Sequence, residues 1–242
     1  MKLVKLDAID STNEFLKVLS IQKDVDNFTV VSAENQTHGK GQMGSVWSTE
    51  SGKNLIMSIL VKECVMEISQ LFQLNIVVSL SVIETLKEWN IPNLSIKWPN
   101  DIMSDAKKIG GILIENTIKS DGTIQSIVGL GLNVNQTNFE NLPKASSLAL
   151  ICDAYFDKEL ILVSIVENLE RKTKYLNTNA VAFKKSYENW LFKKGIPMPF
   201  ENQDGIRFMG IIQGTNAVGK LEILLENDTI VDFDIKEVQM LY

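Results

Sequence analysis

Lys97-Trp98-Pro99-Asn100-Asp101-Ile102-Met103-Ser104-Asp105-Ala106-Lys107-Lys108-Ile109-Gly110-Gly111-Ile112-Leu113-Ile114-Glu115 is the stretch from which the fold is read. Leu94 to Trp98 reads as a strand that stops at Pro99, which has no amide hydrogen to give a ladder. Asp105 to Lys108 reads as a turn, and Ile109 to Glu115 as a further strand opening on a glycine pair. Paired glycines weaken a strand and mark a bulge or a close approach by a ligand. Lys97, Asn100, Asp101 and Lys108 therefore gather around strand ends, where a rigid scaffold commonly presents reacting groups.

Three more groups of this kind lie outward from it. Upstream, Ile68 to Trp89 carries Leu71, Leu74, Val78, Val82, Leu86 and Trp89 at intervals of three and four, a helix with one face turned inward. Before it, strands over Phe28 to Ala33 and Leu55 to Val61 flank a glycine-punctuated loop, Gln36-Thr37-His38-Gly39-Lys40-Gly41-Gln42-Met43-Gly44-Ser45-Val46-Trp47. Its glycines let backbone turn tightly or lie against a ligand, Lys40 adds a cation and Trp47 a large flat face. Such a grouping suits an anion joined to a planar ring. Near the N-terminus, residues 2 to 6 alternate as a strand, and Asp10-Ser11-Thr12-Asn13-Glu14 caps a helix, with Ser11 three residues before Glu14. Downstream, Asp121-Gly122-Thr123 turns into a strand, Ile124 to Leu132, that ends in Gly129-Leu130-Gly131-Leu132-Asn133.

Helical patterns follow over 146–151, 158–175 and 180–192. The middle one is expected to bury Leu160, Val163, Val166, Leu169 and Leu176. Lys194-Gly195-Ile196-Pro197 marks a boundary, beyond which short strands and turns alternate as in a small barrel. The expected organisation is a domain over 1–194 and a second over 195–242.

Bulk properties exclude several classes. Hydrophobic residues make 45% of the chain and charged residues 22%, ordinary values for a globular protein. There is no uninterrupted apolar run of about 18 residues and no signal-peptide core, so a cytoplasmic protein with no membrane span is expected. Cys64 and Cys152 are far apart and read as reduced, buried thiols. The net charge of −6, without a basic stripe, argues against DNA as a partner. One histidine, His38, leaves no zinc site of several histidines and weakens any Ser-His-Asp arrangement; no phosphate loop and no Rossmann glycine motif occur.

The motifs together resemble those of the biotin protein ligases. Gly39-Lys40-Gly41-Gln42-Met43-Gly44-Ser45-Val46-Trp47 is similar to the family's G-R-G-R-x-G-x-x-W loop, Lys97 to Asp101 is an intact K-W-P-N-D, and Lys108 to Glu115 is similar to K-x-[AG]-G-I-L-x-E. Asp10-Ser11-Thr12-Asn13 and Gly129 to Val134 match the remaining blocks, in order. The resemblance implies an α+β fold: a mixed β-sheet flanked by helices, of the class II synthetase-like kind shared with lipoate ligases, followed by an SH3-like β-barrel. It also implies two half-reactions, biotin plus ATP giving biotinyl-5′-AMP and pyrophosphate, then transfer to a lysine of a biotin carboxyl carrier protein domain of a carboxylase. Mg²⁺ would accompany ATP, with no fixed protein metal site.

By the same resemblance, Lys108, Asp101 and Lys40 are the catalytic residues. Lys108 and Lys40 counter charge on the carboxylate and α-phosphate; Asp101 orients or deprotonates the acceptor lysine. Ser11, Thr12, Gln36, Gly39, Lys40, Lys108, Gly111, Gly129 and Gly131 would face biotin. Lys40, Gln42, Trp47, Lys97, Asn100, Lys108 and Asn133 would face ATP and the adenylate, with Trp47 stacked on adenine. Trp98 reads as core, Pro99 as a shaper of the turn, and His38 has no assigned role. Lys40 and Gln42 stand where the family has arginines, so the loop keeps one cation and loses the bidentate fork. Nine residues precede Asp10, too few for the helix-turn-helix domain of some bacterial relatives, so no repressor role is expected. Homodimerisation stays open, as do two alternatives: a lipoate or octanoate ligase of the same fold, and a non-catalytic biotin-binding module.

Overall fold

The computed structural model describes residues 1–65, 67–140 and 142–242. Strand β1 (Lys2–Ile9) leads into helix α1 (Thr12–Gln22), then β2 (Thr29–Gln36) and β3 (Leu55–Lys62). Helix α2 (Leu71–Glu88) precedes a meander, β4 (Leu94–Lys97), β5 (Asp101–Ser104), β6 (Lys107–Ile118) and β7 (Ile124–Leu132). Helices α3 (Leu148–Cys152), α4 (Lys158–Thr173) and α5 (Ala180–Asn189) follow. The first sheet has seven strands in the order β1-β2-β3-β7-β6-β5-β4, parallel only between β1 and β2. The second has five antiparallel strands in the order β11-β10-β9-β8-β12, from β8 (Pro197–Asn202), β9 (Arg207–Thr215), β10 (Leu221–Leu225), β11 (Ile230–Phe233) and β12 (Val238–Met240). The chain is thus α+β, a mixed sheet with helices followed by a second, antiparallel sheet.

Helix α2 is the main cover of the first sheet. With its preceding turn it is long and apolar enough by composition to cross a membrane, with a mean hydropathy of 1.3. Instead it packs on α4, α5 and the strands, with Leu74, Val78, Val82 and Leu86 all at 2% exposure or less. Each such buried side chain contributes roughly 1.5–3 kcal/mol relative to leaving it in water. Helix α4 departs from expectation. It is capped by Asp157, whose carboxylate accepts from the amides of Glu159 and Leu160, and it buries Ile161, Leu162, Ile165, Val166 and Leu169 while Leu160 stays 55% exposed. Leu176 is buried, but beyond the helix end. The thiols of Cys64 and Cys152 are half-buried rather than buried, and burial pushes both above the usual thiol range.

Two further differences concern the opening stretch. Asp101 to Ser104 forms a strand of its own, and β6 begins at Lys107, so Lys108 lies in a strand and not in a turn. Trp98 is only partly buried. Its indole N–H donates to the carbonyl of Gly219 at 2.8 Å and so joins the end of β4 to the second sheet.

Candidate functional site

The site is built on an irregularity in pairing. Along β5–β6, Asp101 faces Gly111 and Ile102 faces Gly110, but Met103 faces Lys108, leaving Ile109 as the extra residue of a bulge. In a regular strand Lys108 and Gly111 would point to opposite sides. The bulge shifts the alternation. A Cβ on Gly111 would therefore lie 3.5 Å from Lys108 Cε, on the same side as the Asp101 carboxylate. Lys108 Nζ meets Asp101 Oδ1 at 2.6 Å, and Lys97 Nζ stands 3.8 Å from Asp101 Oδ2. The Lys108 backbone is tied on both sides: its N–H donates to Lys144 O at 2.8 Å and its carbonyl accepts from Ser146 N at 3.0 Å. Asn100 donates its amide to Ile112 O at 2.6 Å, which holds the turn after the cis Trp98–Pro99 peptide against β6.

The four groups singled out in the sequence converge on one cleft of about 270 Å³. Its floor is the backbone of Gly111, Gly129 and Gly131, where side chains would intrude. A Cβ on Gly129 would lie 2.5 Å from Asn13 Oδ1, and one on Gly131 would lie 2.3 Å from the Trp47 ring. One end is a polar nest. Gln36 Oε1 accepts from the Thr12 amide at 2.7 Å and from Thr12 Oγ1 at 3.0 Å. Ser58 Oγ lies 2.7 Å from Thr12 Oγ1 and 2.5 Å from Asn13 Oδ1. Ser11 caps α1, its hydroxyl accepting from the Glu14 amide. Hydroxyls and amides at a helix N-terminus can hold a small polar group from several directions.

The glycine loop is a formed hairpin above this floor. Gly41 N–H donates to Ser45 O at 2.7 Å, Trp47 N–H to Gly39 O at 2.9 Å, and Lys40 pairs with Val46. Met43 (φ 52°) and Gly44 (φ 83°) turn its tip. Gly39 is buried, and a Cβ there would lie 2.3 Å from Trp47 O, so only glycine lets the two arms of the hairpin approach. Lys40 Nζ bonds Glu14 Oε1 at 2.6 Å. That bond holds the Glu14 carboxyl below its usual range and raises the Lys40 ammonium above its own.

Most of the expected site residues line this cleft: Ser11, Thr12, Gln36, Lys40, Gln42, Trp47, Asn100, Asp101, Lys108, Gly111, Gly129 and Gly131. Lys97 instead lines an adjoining groove. Asn133 is 6% exposed, with its side-chain amide on Ser146 O at 3.0 Å, and does not line the cleft. Trp47 lies over Gly131 and Gly111, with its ring centroid 5.7 Å from Lys108 Nζ. A large flat side chain seeks apolar cover, and a floor without Cβ atoms lets it approach closely. Its indole N–H is buried with no partner among the described residues.

Several cleft residues had no assigned role in the sequence. Asn13 lines the cleft at 4% exposure, its amide donating to Glu115 Oε2 at 2.7 Å; both stood inside the quoted motifs, which was the available signal. Ile235 and Lys236 enter from the second sheet, more than a hundred residues along the chain, and no local pattern could place them here.

Three comparisons with known proteins agree with this geometry. Residues 6–133 match the model of the biotin/lipoate A/B protein ligase family. The bifunctional ligase/repressor BirA of Bacillus subtilis is 28% identical over 231 residues, covering 93% of this chain and 70% of that protein. A biotin--[acetyl-CoA-carboxylase] ligase of Mycobacterium tuberculosis is 28% identical over 152 residues, covering 62% of this chain and 55% of that one. Among solved structures, a biotin protein ligase from Aquifex aeolicus in complex with biotin and ATP superposes with a TM-score of 0.81 at 28% identity, covering 99% of this chain and 98% of that one.

Proposed function

Because the chain belongs to the biotin/lipoate A/B protein ligase family, we propose that it is a biotin protein ligase whose cleft takes biotin and ATP and carries out both half-reactions. The supporting observation is the convergence of Lys108 and Asp101, 2.6 Å apart, with a glycine floor and a nest of hydroxyls and amides in one cleft. In the first step the biotin carboxylate attacks the α-phosphate and pyrophosphate leaves. Both nucleophiles of the overall reaction, a carboxylate and then an amine, come from the substrates. The protein has to position them and stabilise charge, which needs no covalent nucleophile of its own. Ser11, Thr12, Asn13 and Gln36 would hold the polar ring of biotin. Lys108 would leave Asp101 in part to meet the carboxylate and α-phosphate, and Lys40 would exchange Glu14 for the same anion.

Magnesium would enter on the nucleotide. Among the described residues there is no cluster of three His, Cys, Asp or Glu side chains, and this ion commonly takes its oxygens from phosphates, water and one or two carboxylates. When bound it would screen the triphosphate and the departing pyrophosphate. The acceptor is a lysine on a carboxyl carrier domain, and a reducing cytoplasm suits two unpaired thiols. The division at 194/195 remains our reading of the domain organisation, supported by the start of the second sheet at Pro197.

Pyrophosphate exchange into ATP tests the assignment. It is expected to depend on biotin, and biotin with ATP is expected to raise the thermal midpoint where lipoate does not. Stabilisation by lipoate alone would make the chain a lipoate ligase; tight biotin binding without exchange would make it a binding module. Gly131→Ala is a sharper probe of the floor. Its Cβ would have to displace the Trp47 ring, so biotin affinity is expected to fall at least about tenfold (about 1.4 kcal/mol) by calorimetry. Unchanged affinity would mean the ligand does not lie on this floor.

A further inference from the structure

The two oxygens of Asp101 are used unequally. Oδ1 takes Lys108 at 2.6 Å, but Lys97 Nζ comes no nearer to Oδ2 than 3.8 Å, beyond hydrogen-bond distance. What stands on the other side of Lys97 is the ring of Tyr242, its centroid 5.1 Å from Lys97 Nζ. The same ring takes Lys144 Nζ at 4.2 Å. Both ammonium groups lie within the range of about 6 Å over which the face of an aromatic ring attracts a cation. Tyr242 is itself seated, just past β12. The N–H of Leu241 donates to Pro199 O on β8 at 2.9 Å, and the Tyr242 ring meets Phe192 edge-on at 5.2 Å. Phe192 N–H donates in turn to Ile96 O at 2.8 Å, next to Lys97 in β4. Lys144 completes the arrangement: its ammonium donates to Tyr242 O at 2.7 Å, and its carbonyl accepts the Lys108 N–H. One ring thus touches the lysine facing Asp101 and the lysine whose backbone holds Lys108.

We propose that Tyr242 is a positioning residue for the transfer step, its ring holding Lys97 off Asp101 Oδ2 and keeping that oxygen open to the acceptor amine. The assignment rests on the ligase reading and deepens it. The acceptor ammonium docks on Oδ2 and gives it a proton; the neutral amine then attacks the adenylate carbonyl, and AMP leaves with the bonding pair. An oxygen already hydrogen-bonded to Lys97 could do neither part of this well, being occupied and, beside a second cation, less basic. The ring offers Lys97 an attraction that competes with the carboxylate without adding a negative charge to the cleft. A second carboxylate in its place would hold Lys97 too, but it would also compete with Asp101 for the incoming ammonium.

Tyr242→Leu keeps an apolar contact for Phe192 but has no π face, and Tyr242→Phe keeps the face. Each full-length variant is followed through a single turnover from preformed biotinyl-adenylate. For Tyr242→Leu, transfer to the carrier domain is expected to slow about two- to fivefold, the scale of one cation–π contact at a partly exposed site. Reaction with hydroxylamine should stay normal, and Tyr242→Phe should transfer at the normal rate. In a Lys97→Gln chain, Tyr242→Leu should add nothing, because the two residues act through one contact. Unchanged transfer in Tyr242→Leu, an equal loss in Tyr242→Phe, equal slowing with hydroxylamine, or an undiminished loss in the Lys97→Gln chain would each overturn the role. Proton–carbon spectra of the lysine-labelled chain read the contact without any turnover. The Lys97 ε-protons should be shifted upfield by the ring in the unaltered chain and in Tyr242→Phe, and not in Tyr242→Leu. Ring-shifted Lys97 signals in a chain without biotin-dependent pyrophosphate exchange would sink the ligase reading and leave the Tyr242–Lys97 contact standing.

Discussion

Lys108→Ala is expected to slow biotin-dependent adenylate formation by roughly 100- to 1,000-fold, the range seen when one aimed donor to a developing charge is removed. Thermal stability should hardly change. The side chain of Lys108 is 36% exposed, and what holds the residue is its backbone, bonded to Lys144 O and Ser146 N, which alanine keeps. A cation needed only to bind biotin would raise the biotin KM and spare kcat; one that acts as charge redistributes around the α-phosphate lowers kcat as well. Single-turnover formation of the adenylate at saturating biotin and ATP separates the two. Lys108→Arg should recover only part of the rate, since a planar guanidinium cannot reproduce a point charge seated 2.6 Å from Asp101. Turnover of the alanine variant at the normal rate would remove Lys108 from the chemistry.

The reason this residue is placed so well also explains what the sequence could and could not disclose. Motifs, strands and the capped helix α1 are local, and residues 10–13, 36–47, 97–111 and 129–131 were visible as groups before any geometry. The glycine pair at 110–111 correctly signalled a bulge. It did not reveal which residue is extruded, and that choice of Ile109 is what turns Lys108 toward Asp101. The pairing of Asp101–Ser104 with β6 was missed for a related reason, because four residues between a proline and a turn carry no alternation of their own. For helix α4, Val166 and Leu169 were read correctly as buried, while Leu160 proved exposed and Ile161, Leu162 and Ile165 complete the inward face. Lys236 lay beyond reach altogether. Its contact with Met43 spans 193 positions of chain, and only the docking of the second sheet on the first brings it to the hairpin.

Asp101→Asn should divide the two half-reactions. The aspartate pairs with Gly111 in register, and its side chain, 18% exposed, accepts from Lys108 at 2.6 Å while Lys97 stands at 3.8 Å. Asparagine keeps the shape and one carbonyl oxygen, so Lys108 retains an acceptor and adenylate formation is expected to stay within a few-fold of normal. Transfer is different. The acceptor lysine arrives as an ammonium, and it must be drawn to the adenylate carbonyl past two other ammonium groups and lose a proton before it can attack. A carboxylate on the cleft wall can hold that ammonium and accept its proton; a neutral amide can do neither, and the loss of such help costs about 100-fold or more. The measurement is a single turnover from preformed biotinyl-adenylate, first with the carrier domain and then with hydroxylamine, which is already neutral in solution. The variant should fail with the carrier and react normally with hydroxylamine. Equal slowing with both nucleophiles would mean that Asp101 serves only to place Lys108, and equal slowing of adenylate formation would say the same from the other side.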